Sequence, residues 1–470
     1  METGPIMDKS DAAPAGWPPT PAEPVRPARG RLARRAATIA GHELTRGIIG
    51  TMSIKLIGAA LAFLMFSLAA RAMGETEFGR FVTWFSAASI AATVSVFGQE
   101  MLILRSWSEY VTSGRFSLAH GALKFGLSVA GGLSLLVGFV IVAAEILAGD
   151  IYLAAAVGLF IVVSTVLMFS THVTRALVGI WQADGFRELT WRIVTIACLA
   201  VVIFRGETTN GAFFFTAAVA GLLIALAYQV VCIRRAMPAA VIEATPAYDL
   251  KGWLPRSARL WAAAVIEAVS QYFEVVLIAF LLDPVAAGAY FVASRLSNAF
   301  AMAADGLYSF GTRRLPPLYY ARDVVQLDQT LRFMAGVMGL AVAAGLTIVF
   351  FGSDILLGLF GSAYVEERGL LILLCIGTAT FAAAGPAGAV LMLTGHEGRY
   401  TLIVTTGVAL RMVGLLIFAP IFGILGAAAV TATVFVVLAV VLVAECRRLT
   451  GLDTSVMIFL RRPPTPETAP

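Results

Sequence analysis

Residues 401–444 read TLIVTTGVALRMVGLLIFAPIFGILGAAAVTATVFVVLAVVLVA, with Arg411 the one charged side chain among them. A helix needs about 20 apolar residues to cross the hydrocarbon core of a bilayer, so this run holds two crossings back to back. It divides at Gly423 into spans at 400–422 and 424–445, and Gly423 and Gly426 read as close-packing positions of the kind that let membrane helices approach. Lipid offers backbone N–H and C=O groups no partner, so a spanning segment must satisfy them itself. Runs this long do so as helices; a barrel would show alternating strands of about ten residues.

Working outward from this stretch, further runs fall at 47–73, 78–104, 118–145, 151–180, 187–204, 211–233, 257–282, 286–311, 330–352 and 369–393. The fold class expected is therefore an all-α polytopic membrane protein with about twelve transmembrane helices. Composition agrees: 59% of residues are hydrophobic and 13% charged, with mean hydropathy +0.86. Soluble domains carry roughly 25% charged residues. The cysteines, Cys198, Cys232, Cys375 and Cys446, are scattered without CxxC or metal-ligand spacing and read as small core hydrophobes. The net charge of +5 reflects arginines at membrane margins and gives no reason to expect nucleic acid.

Residues 1–46 differ in kind, being rich in Pro, Ala and Arg without apolar periodicity, and read as a disordered basic cytoplasmic tail rather than a signal peptide. With that tail inside, 27 of the 34 Lys and Arg residues fall in inner segments. Only Arg71, Arg80, Arg205 and Arg368 fall on outer margins. This asymmetry points to both termini being cytoplasmic and to an even number of spans.

The longest interior connection, 236–256, then separates an N-terminal lobe (47–235) from a C-terminal lobe (257–446), followed by a cytoplasmic tail, 447–470. The halves look alike. Gly79-Arg80-Phe81 matches Gly288-Ala289-Tyr290 at an offset of 209, and Gly211-Ala212 matches Gly426-Ala427 at 215. Two six-helix repeats entering from the same side are parallel, related by a pseudo-two-fold along the membrane normal, with a substrate path between them.

A charge near a bilayer centre costs at least ~2.5–3.5 kcal/mol, so it faces a wet interior or a partner. Lys55, Arg175, Glu267, Glu274, Arg295, Asp305 and Arg411 are the candidates. Glu267 and Glu274 stand seven apart, on one face of a helix. The cations would attract an anionic substrate; Glu267, Glu274 and Asp305 could hold a coupling proton or Na⁺. The plainer reading of each is a structural ion pair or a side chain reaching to the interface. His172 is the histidine inside a span and reads as a packing residue, with no second catalytic group at useful spacing. No nucleotide, P-loop or zinc-protease motif occurs, so neither an enzyme nor a cofactor is expected. Gly131-Gly132 and Gly385-Pro386 mark places where a span could bend.

Several pieces together resemble one family. AARAMGETEFGRF (Ala69–Phe81), FEVVLIAFLLDPVAAGAYFVASRL (Phe273–Leu296), LLGLFGSAY (Leu356–Tyr364), LTGHEGRY (Leu393–Tyr400) and GILGAAAVT (Gly423–Thr431) occur in order and at the right spans. They resemble the polysaccharide (O-antigen type) flippases of the multidrug/oligosaccharidyl-lipid/polysaccharide exporter superfamily. Glu274 departs from the Asp found in many relatives, keeping the carboxylate while lengthening its reach. The resemblance implies a transporter in a bacterial inner membrane. It would move a polyprenyl-pyrophosphate-linked oligosaccharide from inner to outer leaflet by alternating access, coupled to H⁺ or Na⁺. Its partners would be the lipid-linked oligosaccharide, membrane lipid and other assembly proteins such as a polymerase or chain-length regulator. Lys55, Arg175, Arg295 and Arg411 would then meet the head group, and Glu267, Glu274 and Asp305 would serve ion coupling. A drug or metabolite antiporter, an integral-membrane glycosyl- or acyltransferase, and a non-transporting assembly partner are the alternatives.

Charge reversal at Arg295 or Arg411 is expected to leave the protein in the membrane while stopping surface polysaccharide, with lipid-linked repeat units accumulating inside. Normal export by both variants would rule out a cationic cleft built on these two residues.

Overall fold

A chain dissolved in hydrocarbon has to close its backbone hydrogen bonds locally, and every regular element among the described residues is helical. The computed structural model describes residues 53–460. The expected basic tail, the first residues of span one and the last ten residues lie outside them. The helices are α1 (Ser53–Met73), α2 (Glu75–Val96), α3 (Gln99–Thr112), α4 (Phe116–Ala148), α5 (Ile151–Leu177), α6 (Phe186–Phe204) and α7 (Gly211–Ala236). There follow α8 (Ala239–Glu243), α9 (Leu250–Leu281), α10 (Pro284–Tyr320), α11 (Val324–Gly358), α12 (Arg368–Ala383), α13 (Ala387–Leu393) and α14 (Glu397–Thr450). Nine helical stretches among the described residues are long and apolar enough to cross a membrane. α6 and α10 carry the expected fifth and eighth spans, and α14 contains two, which gives about twelve crossings.

Residues 401–444 form two spans. At 1.5 Å per residue an unbroken α14 would reach ~80 Å. Gly423 interrupts it at φ 64°, ψ −154°, a conformation open to glycine and closed to most side chains. The two pieces return antiparallel: a Cβ on Gly407 would meet Leu438, and one on Gly414 would meet Val430. Span two is also two helices. Phe97 and Gly98 both take left-handed angles between α2 and α3. Gly98 is needed twice over, because a Cβ there would lie 2.5 Å from the carbonyl oxygen of Ser257 on α9. Span ten breaks at Gly385-Pro386, between α12 and α13, as expected. Gly131-Gly132 does not break its span: α4 runs through both, and a Cβ on either would meet nothing.

The described chain forms two compact units, residues 53–292 with 357–364, and residues 293–356 with 365–460. The division falls inside α10, after Val292, and not in the 236–256 connection; α9 and the start of α10 therefore belong with the first unit. That connection is an ordered part of the first unit as well. His120 Nδ1 lies 2.7 Å from the Ala244 carbonyl, the Ala247 N–H donates to Ser117, and the buried Trp253 donates its indole N–H to Tyr110.

Within the first unit, α2 and α9 run antiparallel: Phe85 meets Tyr272, Trp261 donates to the Val94 carbonyl at 2.9 Å, and Gln99 donates to Ser257 at 3.1 Å. One end of this seam is filled by rings, with Phe66, Phe78, Phe81, Phe214 and Phe291 in mutual contact. Ser67 and Arg71 donate there to the main-chain carbonyls of Leu359 and Gly358. At the same end Gly79 lies against Pro284 and Gly288, so the two glycines paired by the repeat offset touch each other.

In the second unit, buried residues of α10, α11, α13 and α14, with Ala384 at the α12–α13 break, make one apolar core that includes Leu331, Met334, Leu391, Leu442 and Ile458. The segment after α14 is part of it and not a loose tail. Asp453 pairs with Arg447 at 2.5 Å, Thr454 donates to the Ala384 carbonyl at the α12–α13 break, and Arg332 donates to the Ile458 carbonyl.

A Cβ on Gly79 would fall 1.8 Å from the Pro284 carbonyl oxygen, a rigid backbone atom. Gly79→Ala is expected to cost ~1–3 kcal/mol by overpacking and to lower the melting temperature of detergent-solubilised protein. Gly131→Ala, in open space within α4, serves as the control and is expected to melt as the parent does.

Candidate functional site

Polar residues at the start of α6 line a cavity of the first unit, and the turn before α6 aims them. That turn, Trp181–Gly185, is a single wide π-type turn, a feature that recurs at functional sites. Asp184 within it takes both Arg175 Nε (3.0 Å) and Nη2 (2.5 Å). Gln229 of α7, fully buried, donates to the Ala183 carbonyl and to Thr171, each at 3.0 Å. The turn is thus fixed from two helices, and α6 leaves it with Arg187, Glu188, Trp191 and Arg192 on one side.

These four residues line a cavity of about 520 Å³. α2 adds Phe85, Ser89 and Thr93, α5 adds Ser164, and α9 adds Glu267, Gln271 and Tyr272. Glu188 is the electrostatic centre. Arg187 Nη2 reaches its Oε1 at 2.6 Å and Arg192 Nη1 its Oε2 at 2.5 Å. Arg192 also donates to the Glu188 main-chain carbonyl and lies over the Trp191 ring, 4.9 Å from its centroid. Two guanidinium groups therefore share one carboxylate. Lys55 lies near enough to act on the same carboxylate electrostatically, and Gly58, a turn further along α1, has Arg192 and Glu188 as its nearest neighbours. The hydroxyls of Ser89 and Thr93 donate to carbonyls of their own helix, which leaves their lone pairs toward the cavity.

The sequence-named residues separate into four groups. Lys55 and Glu267 belong to this cluster. Arg175 is committed to Asp184 and supports the turn. Glu274 does not line the cavity: Tyr290 donates to it at 2.8 Å. Sharing a helix face with Glu267 is not enough, because seven residues also separate the two by ~10 Å along the axis. The Phe85–Tyr272 ring pair lies at that boundary, with centroids 6.4 Å apart. Arg295, Asp305 and Arg411 belong to the second unit. Arg411 is 3% exposed, with its guanidinium 4.9 Å from the centroid of Phe435. Asp305 lines a separate cavity of about 230 Å³ with Tyr308, Pro386 and Tyr400. His172 Nδ1 engages the Met168 carbonyl at 2.9 Å, the packing role expected for it.

Arg187, Glu188 and Arg192 do not stand out as site residues in the sequence, because they lie at the charged margin of a short fifth span. The spacing carried a signal: Glu188 and Arg192 stand four apart at the head of a continuous apolar helix, where they form an ion pair along one face.

Chemically, the cavity suits an anion. A phosphate or carboxylate can take bidentate hydrogen bonds from either arginine as Glu188 exchanges partners, and the aromatic walls and hydroxyls suit sugar rings. Among the described residues no cluster of His, Cys, Asp and Glu is arranged to hold a metal ion.

The profile of a family described as polysaccharide biosynthesis protein matches residues 44–308, more than half of the chain. No curated protein matches in sequence. Among solved structures, an inward-facing multidrug resistance MATE family transporter of the MOP superfamily aligns with a TM-score of 0.65 at 12% identity, over 86% of this chain and 98% of its own. The lipid II flippase MurJ, in an inward closed conformation, aligns with a TM-score of 0.59 at 13% identity, over 87% and 92%. An outward-facing MATE family transporter aligns at 0.58 and 13%, over 87% and 96%. At these identities the likeness concerns the fold, which is that of MOP superfamily transporters.

Proposed function

The chain belongs to the polysaccharide biosynthesis protein family, and from that premise we propose that it carries a polyprenyl-pyrophosphate-linked oligosaccharide from the inner to the outer leaflet of a bacterial inner membrane. The observation that carries this reading is the pair of arginines sharing Glu188 in a cavity walled by spanning helices. Pyrophosphate entering a low-dielectric bundle loses its hydration, and only paired cations offset that loss. Arg187 and Arg192 meet the pyrophosphate, Lys55 adds to the local field, and Ser89, Thr93 and Gln271 take sugar hydroxyls. With both termini cytoplasmic, α6 begins at the inner face, so the cavity loads from the leaflet where the cargo is made. The lipid tail stays outside the bundle while the head group crosses by alternating access. Arg295, half-buried on α10, is a further contact for acidic sugars, and Arg411 packs beneath Phe435.

Glu267 shares the cavity with the arginines, so anion entry and cation coupling meet there. Displacement of Glu188 from Arg187 by the arriving anion leaves a carboxylate in want of a charge, and a proton or Na⁺ at Glu188 or Glu267 supplies it. Glu274 and Asp305 are secondary candidates for the same coupling.

Arg187→Glu is expected to cut surface polysaccharide at least about tenfold, the effect of one lost charge-assisted contact of roughly 1.5–3 kcal/mol. Protein in the membrane should stay at the parent's level, with lipid-linked repeat units accumulating. Arg187→Lys should export at an intermediate level, and Glu267→Gln should export with a reduced response to collapse of the proton or sodium gradient. Parental export by Arg187→Glu at matched membrane abundance would sink the proposal.

A further inference from the structure

A second cavity of the first unit, about 350 Å³, lies between α4, α5 and α7 and differs from the first in its walls and in the pairing of its cations. Its walls are apolar: Leu127, Val166, Phe169, Val173, Leu226 and Val230. Its charged groups gather at one end and are basic, and Ser170 of α5 is the one hydroxyl in the lining. Lys124 stands on the third turn of α4, Arg234 on the last turn of α7, and His120 one turn before Lys124. Both Lys124 and Arg234 are exposed. No acidic side chain lines the cavity, and neither cation has a salt bridge among those recorded for the described residues. This contrasts with the first cavity, where each cation meets a carboxylate.

The volume falls in the range of small-molecule sites. An apolar slot between spanning helices with cations at the headgroup end has the polarity of a phospholipid: tail inward, phosphate at the rim. Exposed residues beside the slot, Leu127, Val230, Val231 and Ile242, are themselves apolar, so the mouth opens to lipid.

We propose that this cavity binds an anionic membrane phospholipid, with an acyl chain between α4, α5 and α7 and the phosphate met by Lys124, Arg234 and His120. The floor of the slot gives the site a consequence. Met237, Val241 and Ile242 of the 236–256 connection complete its lining. His120 donates its Nδ1–H to the Ala244 carbonyl, so Nε2 serves as the donor to the phosphate in the imidazolium form. Gly121 packs so closely on Ala247 that a Cβ would lie 1.8 Å from its carbonyl oxygen. Bound lipid therefore braces the segment that leads from α7 to α9, the helix that supplies Glu267 to the other cavity.

The test uses the full chain, purified in detergent and delipidated, titrated with dioleoyl phosphatidylglycerol or dioleoyl phosphatidylcholine and read by native mass spectrometry and thermal melting. Phosphatidylglycerol is expected to be retained more strongly and to raise the melting temperature. Lys124→Glu with Arg234→Glu is expected to weaken phosphatidylglycerol retention roughly twentyfold, at about fivefold per cation near a headgroup, while phosphatidylcholine is unaffected. Both positions are exposed, so this variant should fold. Leu226→Trp, which fills the slot, should lose both lipids. Equal retention of the two lipids by the parent, or an undiminished preference in the double charge variant, would overturn the proposal. So would a melting shift reproduced in full by glycerol phosphate alone, which would make the site one for free phosphate.

Discussion

A charge inside a bilayer must find its counter-charge within the protein, and in the first unit one such pairing sets the geometry of the next. Arg175 and Asp184 close a two-point bridge across the turn before α6. The turn, tied also to Gln229, fixes where α6 starts and which way its first residues face. Those residues are Arg187, Glu188 and Arg192. The ion pair and Gln229 together direct the second cluster toward the cavity it lines. Arg175, read from the sequence as a cation for the cargo, thus acts one step back, by orienting the cations that face the cavity.

The fold rests on a different constraint, the closeness of helices that have no hydrophobic drive to associate in lipid. Gly79 and Gly98 let α2 and the following residues approach the backbone of α9 and α10 to within contact, and aromatic rings fill the space beside Gly79. The second unit uses the same device on α14, where Gly407 and Gly414 accept Leu438 and Val430 of the returning piece. Small residues bring main chains together, and dispersion contacts then hold them.

Much of this was legible from the amino-acid order. The apolar run around Gly423 gave two spans, and the family resemblance gave the MOP fold that the solved structures share. Gly385-Pro386 broke its span as its residue types require. Gly131-Gly132 did not, because paired glycines permit a bend without compelling one, and nothing presses on α4 there. The candidate site was legible in part. Lys55 and Glu267 were named from their depth in a span. Arg187 and Arg192 escaped because a hydropathy boundary cannot tell a charge at a helix margin from one that faces a cavity behind a wide turn. Glu274 was named for its helix face and lost to its height on the helix, which depends on where Phe85 and Tyr272 close the cavity. The order of the 236–256 connection and of residues 451–460 was not legible, since polar loop composition does not reveal the carbonyls of Ala244 and Ala384 that hold them.

We propose that the Arg187–Glu188–Arg192 cavity receives the anionic head of a lipid-linked glycan. Its most direct test is photo-crosslinking in living cells from a photoreactive residue in place of Gln271, which lines the cavity opposite α6, with Phe351 of α11, exposed and outside the cavity, as the comparison position. An adduct that carries polyprenyl-linked sugar from position 271, lost on Arg187→Glu, is the result expected. Adducts of equal yield from both positions, or none from position 271 in cells that make the polysaccharide, would contradict it.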